Sequence, residues 1–237
     1  MTNNDDYGSG GDLSIPLFTE QTEYDRRWRF EEYSAKYSGY TPFFLRFMAE
    51  QVSRLKLGHA PRTLDLGCGN GFFSGNLASL GCEVTGIDLS PEAVDLARNR
   101  YPGVSFATHD LTQPLPLEDS TIDLAWCSEV LEHLFSPLGI AWEIRRVLKP
   151  GGVFLCTVPY HGLIKNIGIA LFAFERHYDP TYPHLRFFTR KSLSGIVEQA
   201  GLSVESVRTC GSGLGFMGVR DLMCPTNILL RACKRKP

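Results

Sequence analysis

From residue 62 onward, short apolar runs recur at regular intervals along the chain, separated by longer mixed segments. The runs are Thr63–Leu66, Glu83–Asp88, Val104–His109, Thr121–Cys127, Val153–Val158, Leu202–Arg208 and Ile228–Cys233. Each is four to eight residues long and rich in branched apolar side chains, the pattern of a buried strand. Segments long enough for a helix separate most of them, which predicts an α/β, doubly wound sheet. Arg145-Arg146-Val147-Leu148-Lys149-Pro150-Gly151-Gly152 carries the stop signals that end the fourth helix before the fifth strand. The last two runs lack a clear helix between them. Residues 20–57 read as one or two helices with many aromatics, among them Trp28, Phe43, Phe44 and Phe47. The organisation expected is a disordered tail over 1–15, a helical cap over 16–60 that packs on the domain or covers its site, and an α/β domain over 61–237 with an excursion at 159–188.

The first strand carries the most informative chemistry. Leu64-Asp65-Leu66 runs into Gly67-Cys68-Gly69-Asn70-Gly71, three glycines at alternating positions ahead of a helix-compatible run. Glycine tolerates positive φ and has no Cβ to hold a ligand away from the backbone. In an open α/β sheet the ligand lies outside the carboxyl ends of the strands, beside a helix N-terminus. Asp88 ends the next strand, where it can accept hydrogen bonds from two ribose hydroxyls; at a strand tip it is expected to be removable without loss of the fold. A dinucleotide fold wants G-x-G-x-x-G, and Phe72 holds the position of its third glycine. The departure argues against NAD and FAD.

The segment Leu64–Gly71, followed by Asp88, resembles motif I and its partner acid in the class I S-adenosylmethionine-dependent methyltransferases. The resemblance spans about residues 40–235 and implies a Rossmann-like seven-stranded sheet in the order 3-2-1-4-5-7-6, the last strand antiparallel, with N-terminal helices. It implies S-adenosylmethionine as cofactor and S-adenosylhomocysteine as product. The residues it assigns to them are Asp65, Gly67, Cys68, Gly69 and Gly71 in the turn, Asp88 and Leu89 at the second strand, Asp110 and Leu111 after the third, and Cys127 on the fourth.

Chemistry is expected after strands four and five. In Ser128-Glu129-Val130-Leu131-Glu132-His133, helical spacing would put Glu129, Glu132 and His133 on one face. Two carboxylates and an imidazole suit a hard divalent ion. E-x-x-E-H resembles the ubiquinone-biosynthesis O-methyltransferases, the closest group in pattern, and the small-RNA 2′-O-methyltransferases, both associated with magnesium-class ions. His184 resembles a later histidine of both groups, giving Glu129, Glu132, His133 and His184 as candidate ligands for Mg2+. The RNA group has a second histidine where Leu134 stands here. Without a metal, neutral His133 could act as general base. Methyl transfer needs a competent nucleophile, and a phenol with a pKa of about 10 is mostly protonated near neutrality; a metal or a base addresses that. Glu129, Glu132 and His133 are thus the catalytic candidates. The expected activity is methyl transfer to a hydroxyl of a small, partly apolar acceptor of the quinone-precursor or aromatic natural-product type. Alternatives are C- or N-methylation of a metabolite or sugar, and 2′-O-methylation of RNA.

The excursion contains Tyr160, His161 and His177 as candidate acceptor contacts, and the apolar run 163–174. That run is too short to span a bilayer. It reads as a lid, a packed helix, or a peripheral membrane contact. Composition removes other classes. The formal net charge is −2 with signs interspersed, which argues against a nucleic-acid partner. The 7 cysteines have no C-x-x-C spacing, which argues against a zinc or disulfide framework and fits a reducing cytoplasm. The N-terminal segment is neither cationic nor apolar and does not read as a signal peptide.

Overall fold

The structure is a computed structural model and describes residues 40–178, 184–211 and 226–236. Helix α1 (Thr41–Ser53) precedes an alternation of β1 (Arg62–Leu66), α2 (Phe72–Ser79), β2 (Glu83–Asp88), α3 (Pro91–Arg100), β3 (Ser105–Thr108) and β4 (Ile122–Ser128). A 3₁₀ turn over Leu131–His133 leads to α4 (Pro137–Val147) and β5 (Leu148–Pro159). The excursion holds α5 (Leu163–Phe172) and α6 (Phe174–His177); α7 (Arg190–Gln199), β6 (Ser203–Cys210) and β7 (Asn227–Cys233) complete the order. The seven strands form one sheet in the order β3-β2-β1-β4-β5-β7-β6. β7 runs antiparallel to both β5 and β6, and the other pairings are parallel. This is the expected sheet.

Alternation along the central strands explains the layers. Ala125 and Cys127 of β4, with Phe154, Cys156 and Val158 of β5, face a core completed by Ile140 and Ile144 of α4 and by Leu193 and Val197 of α7. Leu124, Trp126, Val153 and Leu155 face the other way, against Phe44, Phe47 and Met48 of α1 and Leu77 of α2. A period of two puts neighbouring residues on opposite faces, so a strand covered on both sides must be apolar throughout. The described part of the expected N-terminal cap thus packs on the sheet, with the Phe47 ring 6.4 Å from Trp126. Its remainder and the expected tail lie outside the described residues.

Helix starts follow local chemistry. Ser90 accepts from the Ala93 N–H at the head of α3, Ser136 does so from Gly139 at α4, and Thr189 forms a reciprocal capping box with Ser192 at α7. Residues 149–152, expected as a turn, are the leading part of β5. Its first partner is Ile122, and the register shifts before regular pairing resumes at Val153. Gly151, at φ +84, permits that irregularity.

Candidate active site

The loops that carry the candidate residues leave the carboxyl ends of β1, β2, β3, β4 and β5. Gly67, Gly69 and Gly71 have φ of +69°, +53° and +78°, so the expected need for glycine is met at each. A Cβ on Gly67 would lie 2.4 Å from Cγ2 of Val130. Glycine here lets the first turn seat against the segment after β4. Gly71 also heads α2 in the left-handed conformation.

Asp88 is buried and does more than present its carboxylate at a strand tip. One oxygen accepts from the Gly69 N–H at 2.8 Å, the other from the Ser90 N–H at 3.0 Å. These bonds tie the glycine turn to β2, so removing Asp88 is expected to cost stability as well as ribose contacts, even with the fold kept. Asp65 is buried at the end of β1 and accepts from Ser74 Oγ. Burial pushes its pKa up to about 7, opposed by the Ser74 bond and reinforced by Asp88. Cys68 and Cys127 are buried, with burial the main cause pushing each thiol pKa far up, so both are neutral packing groups. Leu89 is half-buried just beyond β2, Leu111 is buried, and Asp110 accepts from the Thr112 N–H after β3. Left-handed glycines, a helix N-terminus and an acid on the next strand form the crevice that suits a nucleoside ligand. The residues present fit the cofactor expected from sequence.

The acids after β4 are arranged differently from the expected helical turn. Glu129 leaves the strand at φ +57, unusual for a residue with a Cβ, and only Leu131–His133 form a turn of 3₁₀ helix. The Glu129 carboxylate accepts from Thr157 Oγ1 of β5 at 2.9 Å and from Asn227 Nδ2 of β7 at 3.0 Å. Burial raises its pKa to about 7 against the pull of these donors and Lys165. Glu132 turns elsewhere. It is 1% exposed, and neither carboxylate oxygen has a hydrogen-bond partner. Its Oε1 lies 3.9 Å from His133 Nε2 and 4.0 Å from His184 Nε2. The two imidazole rings are 4.8 Å apart, edge to face. Burial, then the charge of Glu129, pushes the Glu132 pKa well above the usual carboxylate range.

Among the described residues, Glu132, His133 and His184 offer ligand atoms that all lie within 4.8 Å of one another; Glu129 is outside this group. A deeply buried carboxylate without a donor is costly unless neutralised or paired. Protonation, a histidine charge or a divalent ion would each relieve it. The segment that carries His184 is held by the Glu132 carbonyl, which accepts from the N–H groups of Leu185 and Arg186.

Strand five ends at Pro159, and a bridge between Tyr160 and Phe188 closes the base of the excursion. His161 is buried there, and its ring stacks edge-on with Phe187 at 4.7 Å and lies 5.4 Å from His177. Outward, α5 exposes Leu163 (76%) and Phe172 (87%), with Ile164, Ile167 and Leu171 alongside. Among the described residues no helix is long and apolar enough to cross a membrane. Thr157 and Asn227, the partners of Glu129, were not marked by the sequence. The signal was a polar residue inside an apolar strand, at Cys156-Thr157-Val158 and at the head of Asn227-Ile228-Leu229.

Comparison with known proteins agrees with the geometry. The family model described as "Methyltransferase domain" matches residues 64–156. A ubiquinone biosynthesis O-methyltransferase of Colwellia psychrerythraea is 34% identical over 148 residues, 59% of either chain. One from Burkholderia pseudomallei is 33% identical over 160 residues, 63% of this chain and 68% of the relative. The chain thus spans under two thirds of the Colwellia relative's length. An S-adenosylmethionine-dependent methyltransferase of Mesorhizobium loti shares the fold with a TM-score of 0.61 at 22% identity, covering 78% of this chain and 96% of the other.

Proposed function

The chain belongs to the S-adenosylmethionine-dependent methyltransferases, and we propose that it moves a methyl group onto a hydroxyl of a small, partly apolar acceptor of the aromatic or quinone-precursor class. What supports the acceptor chemistry above all is Glu132: a buried carboxylate with no hydrogen bond, between two imidazoles, just beyond the glycine turn.

The cofactor supplies a methyl group on a sulfonium, a good leaving group, so the protein's task is position and nucleophile activation. Asp65, the three glycines and Asp88 would hold its polar ends, with Leu89, Asp110 and Leu111 beside the base. On the acceptor side, Glu132, His133 and His184 would gather a hydroxyl. These three would be the protein ligands of a magnesium-class ion, whose charge would favour the anion of the acceptor oxygen. Without one, His133 takes the proton and Glu132 stabilises the imidazolium that forms. Glu129 lies outside the three-residue group. Held by Thr157 and Asn227, it adds negative potential that keeps Glu132 receptive to a proton or a cation. The names of relatives at 33–34% identity point to O-methylation and a quinone-type acceptor. The exposed apolar face of α5 suits peripheral contact with the lipid surface from which such an acceptor would be drawn.

Turnover of a catechol acceptor with labelled S-adenosylmethionine, with and without EDTA, tests this reading. Glu132→Gln should abolish turnover and keep S-adenosylhomocysteine binding. Loss with EDTA and recovery with magnesium selects the metal scheme, and indifference to EDTA with loss in His133→Ala selects the base. Full turnover in both variants would contradict both schemes.

A further inference from the structure

Beyond the glycine turn and the Glu132 face, the base of the excursion carries a second polar group. Lys165 projects from α5, whose neighbouring side chains are apolar, yet is half-buried. Its Nζ donates to the Tyr160 carbonyl at 2.8 Å, which turns the ammonium inward toward the end of β5. His161 follows Tyr160 directly, with His177 beside it and the Asn166 amide donating to the His161 carbonyl at 3.4 Å. His161 Nδ1, His177 Nε2 and Asn166 Oδ1 are buried without a hydrogen-bond partner. A single orphan of this kind is uncommon in a folded protein; the two imidazole nitrogens together call for a missing partner, whereas Asn166 Oδ1 can only accept and takes no part in the argument.

We propose that Lys165, His161 and His177 form an anion subsite that holds a carboxylate carried by the methyl acceptor. The inference rests on the methyltransferase reading above and narrows its acceptor class to hydroxylated aromatic acids.

The donor inventory fixes the sign. An ammonium has three N–H groups, and Lys165 uses one on Tyr160. A neutral imidazole offers one N–H, placed on either nitrogen according to tautomer. Among the described residues no carboxylate lies within ion-pair distance of Lys165; Glu129, whose charge reaches it through space, is hydrogen-bonded to Thr157 and Asn227. Burial lowers the pKa of Lys165, and burial first and then the Lys165 charge lowers those of His161, to about 4, and His177. Burial and the crowding of like charge set these shifts, opposed at Lys165 by the charge of Glu129, and a bound anion would offset them. A metal ion would face the Lys165 ammonium, whereas a carboxylate would meet a cation and two N–H donors, the charge-assisted pairing that is strongest when desolvated.

Position makes the site part of acceptor binding. His161 donates its backbone N–H to the Phe188 carbonyl, on the same short segment that carries His184 to Glu132. Phe187, between them in sequence, packs on His161. The segment 184–188 thus touches both groups, with His184 at Glu132 and Phe187 at His161. Gly162 keeps this corner tight, since a Cβ there would lie 2.4 Å from the Tyr160 ring.

The test is calorimetric titration of the S-adenosylhomocysteine-loaded protein with 3,4-dihydroxybenzoate and with 4-methylcatechol. The benzoate should bind at least about tenfold more tightly. Lys165→Met should bring the two dissociation constants within about twofold of each other, and Lys165→Arg should keep most of the preference. His161→Phe, which retains the packing on Phe187, should narrow the gap without closing it. Equal affinities in the unmodified protein, a preference that survives Lys165→Met, or no binding of either aromatic would overturn the subsite. Failure of S-adenosylhomocysteine itself to bind would instead overturn the methyltransferase reading.

Discussion

Asp65→Asn should make the ligand-free protein more stable at neutral and alkaline pH while weakening its hold on the cofactor. Asp65 is buried, and its pKa rises from 3.8 to about 7 chiefly because burial penalises its charge. Below about pH 4 the carboxyl is protonated in both folded and unfolded chains and folding carries no penalty. As pH rises toward 7 the unfolded chain gives up the proton and the folded chain keeps it, so stability falls; above about 7 the loss is constant. The full difference is about 4 kcal/mol, an upper estimate because water penetration and relaxation reduce it. Half of that, about 2 kcal/mol, corresponds to about 4–8 °C in Tm for a domain of this size. Asparagine keeps an oxygen for Ser74 Oγ and adds amide hydrogens whose cost does not change with pH. The assay is therefore the difference in Tm between variant and parent, followed from about pH 4 to pH 8. The difference should move in the variant's favour by several degrees across that range and flatten beyond it. A difference independent of pH would show that Asp65 is charged at no cost, and would refute the reasoning.

Other substitutions probe the same crevice. Asp88→Ala leaves the Gly69 and Ser90 N–H groups without their acceptor; it should lower stability by about 1–3 kcal/mol and weaken S-adenosylhomocysteine at least tenfold, both read from Tm with and without ligand. Gly67→Ala combines φ +69 with a Cβ 2.4 Å from Val130 and should cost about 1–2 kcal/mol from the backbone alone, measured by urea unfolding; Gly81→Ala, at φ +87 but with open space around it, separates backbone strain from crowding by a smaller loss.

Much of this was legible in the sequence because it is local. Strand signals of four to eight apolar residues gave the sheet, and glycines at 67, 69 and 71 announced a turn that needs positive φ. The arrangement of the acids was not local. Spacing alone puts Glu129, Glu132 and His133 on one helical face, but Glu129 is drawn away by Thr157 and Asn227, which lie 28 and 98 residues further along the chain. His184 meets Glu132 because the Leu185 and Arg186 N–H groups bind the Glu132 carbonyl, a contact no periodicity encodes. Lys165 is a single charge inside the apolar run 163–174, and only the fold shows its ammonium turned inward to Tyr160.

The central claim is that the crevice between β1 and β2 is built for S-adenosylmethionine and its product. Calorimetric titration with S-adenosylhomocysteine, and separately with NAD, tests it most directly. The account predicts one site per chain for S-adenosylhomocysteine with micromolar affinity, about −7 to −8 kcal/mol, and no heat from NAD. Binding of NAD with no response to S-adenosylhomocysteine would contradict it.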